Sequence, residues 1–148
     1  MAIFLPRVGA VYICEAPQFL EPYFVTGTPD LVAEVDGQTV VADWKSFVPK
    51  PTEDGGTHGP KVRADWIYQN SAYVTAVELY HGIKIQRGIN CMVSDQLIRD
   101  KFWRREQIDE AAEKFKIAAK DYLVIQSRLG CVGSSVTLRR HHYGNSTR

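Results

Sequence analysis

The chain is short of cysteine, of net charge and of long apolar runs, and each shortage removes a class of protein. Three cysteines, Cys14, Cys91 and Cys131, are scattered over 148 residues with no C-x-x-C pair. That argues against a structural zinc site and against a disulfide framework, and the expectation is three small buried hydrophobes. No stretch approaches the roughly 20 apolar residues of a membrane helix. The opening MAIFLPRVGAVYI is broken by Pro6, Arg7 and Gly9 and lacks a basic leader. No signal peptide is therefore read, and the expected compartment is the cytoplasm of a cell or of a virus-infected cell, without a membrane partner. Lys and Arg total 18 against 17 Asp and Glu, a net charge of +1, so no global basic field exists. Basic residues gather locally, in the terminal RRHHYGNSTR and at Lys50, Lys61 and Arg63. Internal repeats and low-complexity blocks are also absent.

What is present is an ordinary globular mixture, 45% hydrophobic and 24% charged. It suffices for one core, expected as a single domain over residues 1–138 with a polar basic tail over 139–148. Residues 9–25 read as extended, broken by Pro17 and Pro22. DLVAEV, 30–35, reads as a strand, Asp36-Gly37 as a two-residue hairpin turn, and QTVVADWKS, 38–46, as the return strand. The Pro- and Gly-rich stretch 47–61 has no periodicity and is a loop of unusual length. A helix follows over 62–81, with Trp66, Gln69, Tyr73, Ala76, Val77 and Tyr80 on one stripe and Gly82 as its stop. IKIQRGINCMV, 83–93, reads as a strand with an irregularity at Gly88. A second helix over 104–129 has the apolar face Ile108, Ala111, Ala112, Phe115, Ala119, Tyr122 and Ile125. A short strand, VTL, is expected in the tail. The order β-β-β-α-β-α indicates an α/β fold, a mixed central sheet flanked by helices.

Chemistry concentrates on the hairpin. Strand alternation puts Val41, Asp43 and Lys45 on one face and Val40, Ala42 and Trp44 on the other. A simple register across Asp36-Gly37 sets Asp30 opposite the Asp43–Lys45 end. Two neighbouring carboxylates repel each other and favour a hard divalent cation between them. A cation-bound water is a better nucleophile, and Lys45 could steady it or offset charge on a phosphate oxygen. The bland alternative is a surface hairpin with solvated charges. Against it, Asp43 and Lys45 interrupt an apolar run, where charge is costly unless it is used. Gln69 and Tyr73, four apart, share an otherwise apolar helix face; a satisfied core amide is the bland reading of Gln69.

Thr26-Gly27-Thr28-Pro29-Asp30-Leu31-Val32, then Val40-Val41-Ala42-Asp43-Trp44-Lys45-Ser46, then Gln69-Asn70-Ser71-Ala72-Tyr73, resembles the GxxD…DxK…QxxxY pattern of the RecB-type exonuclease branch of the PD-(D/E)XK nuclease superfamily. The resemblance covers roughly residues 10–125 and implies a restriction-endonuclease-like core. It implies that Asp30 and Asp43 ligate Mg²⁺ or Mn²⁺ with the main-chain carbonyl of Trp44, that Lys45 is the catalytic lysine, and that Gln69 and Tyr73 position DNA or the site. Ser46 stands where many members have Thr and could touch phosphate or cap the strand end. Lys50 and Lys61 could contact phosphates from the 47–61 loop. The departures are an upstream region that reads as extended, with Glu15 and Glu21 as its only carboxylates before Asp30, and too few cysteines for the iron–sulfur cluster of some relatives. A core short of its covering helices should expose apolar surface and favour a homo-oligomer or a larger nuclease complex. The implied function is a metal-dependent DNA exonuclease in recombination, repair or viral genome processing. The rivals are a structure-specific endonuclease or junction resolvase, and a catalytically weak DNA-binding module or subunit.

Overall fold

The computed structural model describes residues 7–95 and 97–128. Its strands are β1 (Val8–Cys14), β2 (Gln18–Leu20), β3 (Val25–Gly27), β4 (Leu31–Val35), β5 (Gln38–Ser46), β6 (Lys50–Pro51), β7 (Thr57–His58), β8 (Arg87–Val93) and β9 (Ile98–Arg104). Its α-helices are α1 (Trp66–His81) and α2 (Arg105–Arg128), and a 3-10 turn over Glu21–Tyr23 interrupts the stretch expected to be extended. Five strands form the central sheet in the order β1-β4-β5-β8-β9. All neighbours are antiparallel except β5 and β8, which run parallel. A parallel pair needs a crossover, and α1 provides it. The fold is α/β with a mixed sheet.

The β4–β5 hairpin forms as its turn chemistry dictates. Asp36 and Gly37 both have positive φ, 51° and 74°, as a type I′ turn requires. The register Val35↔Gln38 then runs without slippage to Leu31↔Ala42. Alternation sends Val32 and Val41 into a core with Val74 and Val77 of α1 and Ile108 of α2. Val35, Val40, Ala42 and Ile89 form a second cluster on the opposite face, to which the helices contribute nothing among the described residues. There Val8, Val11, Leu31, Trp44, Cys91 and Ile98 line an open groove of about 460 Å³.

Helix α1 starts after Asp65 and ends at Gly82, whose φ of 67° and N–H bond to the Glu78 carbonyl close the last turn. Its stripe is buried at Tyr73, Ala76 and Val77 but not at Tyr80, 46% exposed, whose hydroxyl accepts a bond from the Glu21 amide. Glu78 ties the helices together: Arg105 donates to both its oxygens, at 2.6 and 3.1 Å, and the Ile85 amide adds a third bond. Burial alone would push the Glu78 carboxyl up, but Arg105 and Ile85 outweigh burial and hold it below the usual 4.5. A depressed carboxylate contributes stability above its unfolded value and loses it as pH falls through the folded one. Glu78→Gln should therefore cost about 1 kcal/mol at pH 7, discounted for the partial exposure of Arg105. In urea titrations the gap from wild type should shrink as pH falls from the usual 4.5 through the depressed folded value.

Several expectations need correction. Ile98–Arg104 is a full strand where the sequence pattern indicates none; its charged residues suit an edge, where charge discourages further pairing. Residues 83–86 precede the strand rather than belong to it, and Gln86 bonds to Thr39 through both backbone and side chain. The 47–61 loop contains the short β6–β7 pairing. Only Ile108, Ala111 and Ala112 of α2 are buried, while Tyr122 and Ile125 are 61% and 53% exposed. The helix is 24 residues, about 36 Å, yet its buried residues all lie within its first eight positions. Cys91 is buried and Cys14 exposed; Cys131, the VTL segment and the 139–148 tail lie outside the described residues. No described helix is long and apolar enough to cross a membrane.

Candidate active site

The hairpin register places Asp30, the residue before Leu31, beside Asp43. Asp30 Oδ2 accepts the Trp44 backbone N–H at 2.6 Å, so one carboxylate is anchored to the strand carrying the other. Asp43 is 4% exposed. Its Oδ2 accepts from Lys45 Nζ at 2.6 Å and from Asn90 Nδ2 at 3.0 Å. Burial pushes the Asp43 carboxyl above its usual value, and the Asp30 charge adds to that push; Lys45 and Asn90 oppose it.

From Lys45 the contacts continue onto α1. Lys45 Nζ donates to Gln69 Oε1 at 2.6 Å, and Gln69 Nε2 donates to the Tyr73 hydroxyl at 2.8 Å. A lysine has only donors, so Gln69 must turn its oxygen to Lys45 and its amide nitrogen to Tyr73. The four-residue spacing on one helix face, expected from the sequence, makes that bridge possible. Burial raises the Tyr73 hydroxyl above its ordinary value, and the Asp43 and Asp30 charges add to the shift; it stays protonated at neutral pH. The Lys45 ammonium also lies 6.0 Å from the centre of the Trp66 ring.

Gly27 is needed where β3 passes Tyr73: a Cβ there would sit 2.7 Å from Tyr73 Cε1. Gly27→Ala should displace the ring, loosen the Gln69 bridge and cost about 1–3 kcal/mol. The expected readout is a lower melting temperature together with a shifted Gln69 side-chain amide resonance.

Asp30, Asp43, Lys45, Gln69 and Tyr73 thus come together. Ser46 does not: it ends β5 on the Trp44 side and lines the apolar groove, because alternation turns it from the Asp43–Lys45 face. Lys50 and Lys61 are exposed, and no contact among the described residues links either to the site. Glu15 follows β1, and its backbone amide donates to the Asp30 carbonyl at 3.1 Å, so the chain places it next to Asp30. Glu21 is tied to Tyr80 instead. Among the described residues no group of three or more His, Cys, Asp or Glu side chains could hold a metal; the site offers two carboxylates. Asn90, absent from the sequence expectations, is wholly buried against Asp43. The signal was there, a polar residue inside the apolar run INCMV, the same signal that marked Asp43.

No family model matches the chain, and no curated protein matches its sequence. Among solved structures, a candidate exonuclease from Eubacterium rectale superposes over 100% of this chain with a TM-score of 0.52 at 12% identity. This chain spans 57% of that protein's length. A second solved structure aligns with 63% of this chain and 41% of its own at 14% identity, with a TM-score of 0.36, too low to inform the reading. At these identities the likeness is one of fold: the chain shares the α/β architecture of the Eubacterium rectale protein.

Proposed function

We propose that this chain is a Mg²⁺- or Mn²⁺-dependent DNA nuclease of the PD-(D/E)XK superfamily, and within it a RecB-type exonuclease. The observation that carries the reading is the continuous chain of contacts from Asp43 through Lys45 and Gln69 to Tyr73, with Asp30 anchored alongside. Three sequence motifs, far apart along the chain, converge on one short stretch of strand. The fold shared with a candidate exonuclease fits it.

The donor set suits a hard cation. Magnesium needs only one or two carboxylates when waters and substrate phosphate complete its shell, and the mutual repulsion of Asp30 and Asp43 would become attraction to it. Asp30 and Asp43 would hold the ion, with the Trp44 carbonyl as the further ligand that the resemblance implies. The bound ion supplies Lewis acidity and a water of lowered pKa. The rest falls to the chain's own groups. Lys45 presents its ammonium beside Asp43, where it offsets negative charge on a phosphate oxygen or steadies the attacking water. Gln69, held by Tyr73, keeps Lys45 from swinging away. The rival is a catalytically weak DNA-binding module or subunit, which need not bind the cation.

The deciding experiment offers end-labelled linear single-stranded DNA, linear duplex and covalently closed circles with Mg²⁺ or Mn²⁺. Stepwise loss of label from linear DNA with circles intact is the expected result. Cleaved circles would make it an endonuclease, and binding without cleavage would favour the module.

A further inference from the structure

We propose that Asn90 is a positioning residue for Asp43, locked in one orientation by Trp103 and Asn70; the inference rests on the metal-dependent reading above. Asn90 stands on β8 directly beside Asp43 in the parallel register and has no exposure. Its Nδ2 donates to Asp43 Oδ2 at 3.0 Å. Its Oδ1 accepts two bonds, from Trp103 Nε1 at 2.7 Å and from Asn70 Nδ2 at 3.1 Å. The two ends of an amide are interchangeable in shape, but an indole N–H can only donate. Trp103 therefore compels Oδ1 to face it, and the NH₂ must face Asp43. Asp43 Oδ2 is gripped from two sides, by Lys45 on its own strand and by Asn90 on the next. That stops the carboxylate rotating and aims Asp43 Oδ1 in a fixed direction.

Asn70 strengthens the case. It is also without exposure, and its Oδ1 is buried with no hydrogen-bond partner among the described residues. Such an orphan is destabilising, and an apolar side chain would avoid it. Gly88 makes room for it, since a Cβ there would sit 2.7 Å from Asn70 Oδ1. A core selected for stability alone would not retain this arrangement. What the Asn70 amide supplies is its bond to Asn90. Outer partners that orient a metal ligand are commonly worth 10- to 100-fold in metal affinity.

The test is Mn²⁺ titration by calorimetry on the full chain, with melting temperatures in parallel. The proteins are wild type, Asn90→Ala, Trp103→Phe, the double variant, and Val74→Ala as a core truncation on the same sheet face. Asn90→Ala should weaken Mn²⁺ binding about 10-fold or more, and Trp103→Phe by a smaller factor. Trp103→Phe should have no further effect once Asn90 is gone, because its influence passes through that residue. Val74→Ala should lower the melting temperature and leave the affinity unchanged. A folded Asn90→Ala with wild-type affinity overturns the inference, as does an equal loss in Val74→Ala. If Asn90→Ala does not fold, unchanged affinity in Trp103→Phe overturns it. A wild type that binds no Mn²⁺ overturns the metal reading and this inference with it, an outcome distinct from wild-type binding that Asn90→Ala leaves intact.

Discussion

Replacing Lys45 by alanine is expected to lower the turnover of linear DNA about 10²- to 10³-fold, the usual cost of removing one group aimed at transition-state charge. On the proposed mechanism the loss should fall on kcat rather than KM, since Lys45 would act at the reacting phosphate and contribute little to holding the rest of the DNA. Stability should fall too. The ammonium is 2.6 Å from a carboxylate oxygen of Asp43, with side-chain exposures of 20% and 6%. Removing it leaves a buried acceptor without its charged partner, at a cost of about 1–3 kcal/mol. Asp43 can limit the loss by taking a proton, because burial already pushes its carboxyl up and the opposing ammonium would be gone. Single-turnover cleavage and urea titration on the same preparation check both parts; wild-type kcat in Lys45→Ala would end the assignment.

Asp43→Asn should abolish metal-dependent cleavage, by more than about 100-fold, beyond the loss expected for an outer partner. Its effect on folding should have the opposite sign. The Asp43 carboxyl is held above its usual 3.8 because burial outweighs the help from Lys45 and Asn90. A group whose folded pKa is raised binds more protons folded than unfolded. Its contribution is therefore fully favourable below the unfolded value and is lost as pH rises through the folded one. At pH 7 the ionised Asp43 thus weakens the metal-free fold, and a neutral isostere escapes that penalty. In EDTA the melting temperature of Asp43→Asn should exceed that of wild type at pH 7, and the difference should vanish below about pH 3.8. A lower melting temperature at pH 7 would mean that the ion pair with Lys45 dominates over burial. Taken together, one variant loses activity and stability while the other loses activity and gains stability. General misfolding cannot produce that pair of results.

The hairpin was legible residue by residue because everything that shapes it is local. Asp36 and Gly37 accept positive φ, alternation sorts Val41, Asp43 and Lys45 from Val40, Ala42 and Trp44, and the register that puts Asp30 beside Asp43 follows by counting. That Gln69 and Tyr73 share one helix face was legible for the same reason, as a spacing of four; their hydrogen bond was not. Strand β9 was not, because an edge strand such as IRDKFWR owes its conformation to pairing with β8 rather than to its own pattern. Nor were the exposures of Cys14, at the end of edge strand β1, and of Tyr122 and Ile125, beyond the buried first turns of α2.

Local pattern is enough to read the α/β order, the ribbon that carries two carboxylates and a lysine, and the helix face that carries a glutamine and a tyrosine. That these meet is a matter of long-range packing. The parallel pairing of β5 with β8 brings Asn90 against Asp43 across 47 residues of chain, and the docking of α1 brings Gln69 onto Lys45. Contacts of that separation are set by how whole elements bury their apolar faces, and no local spacing encodes them.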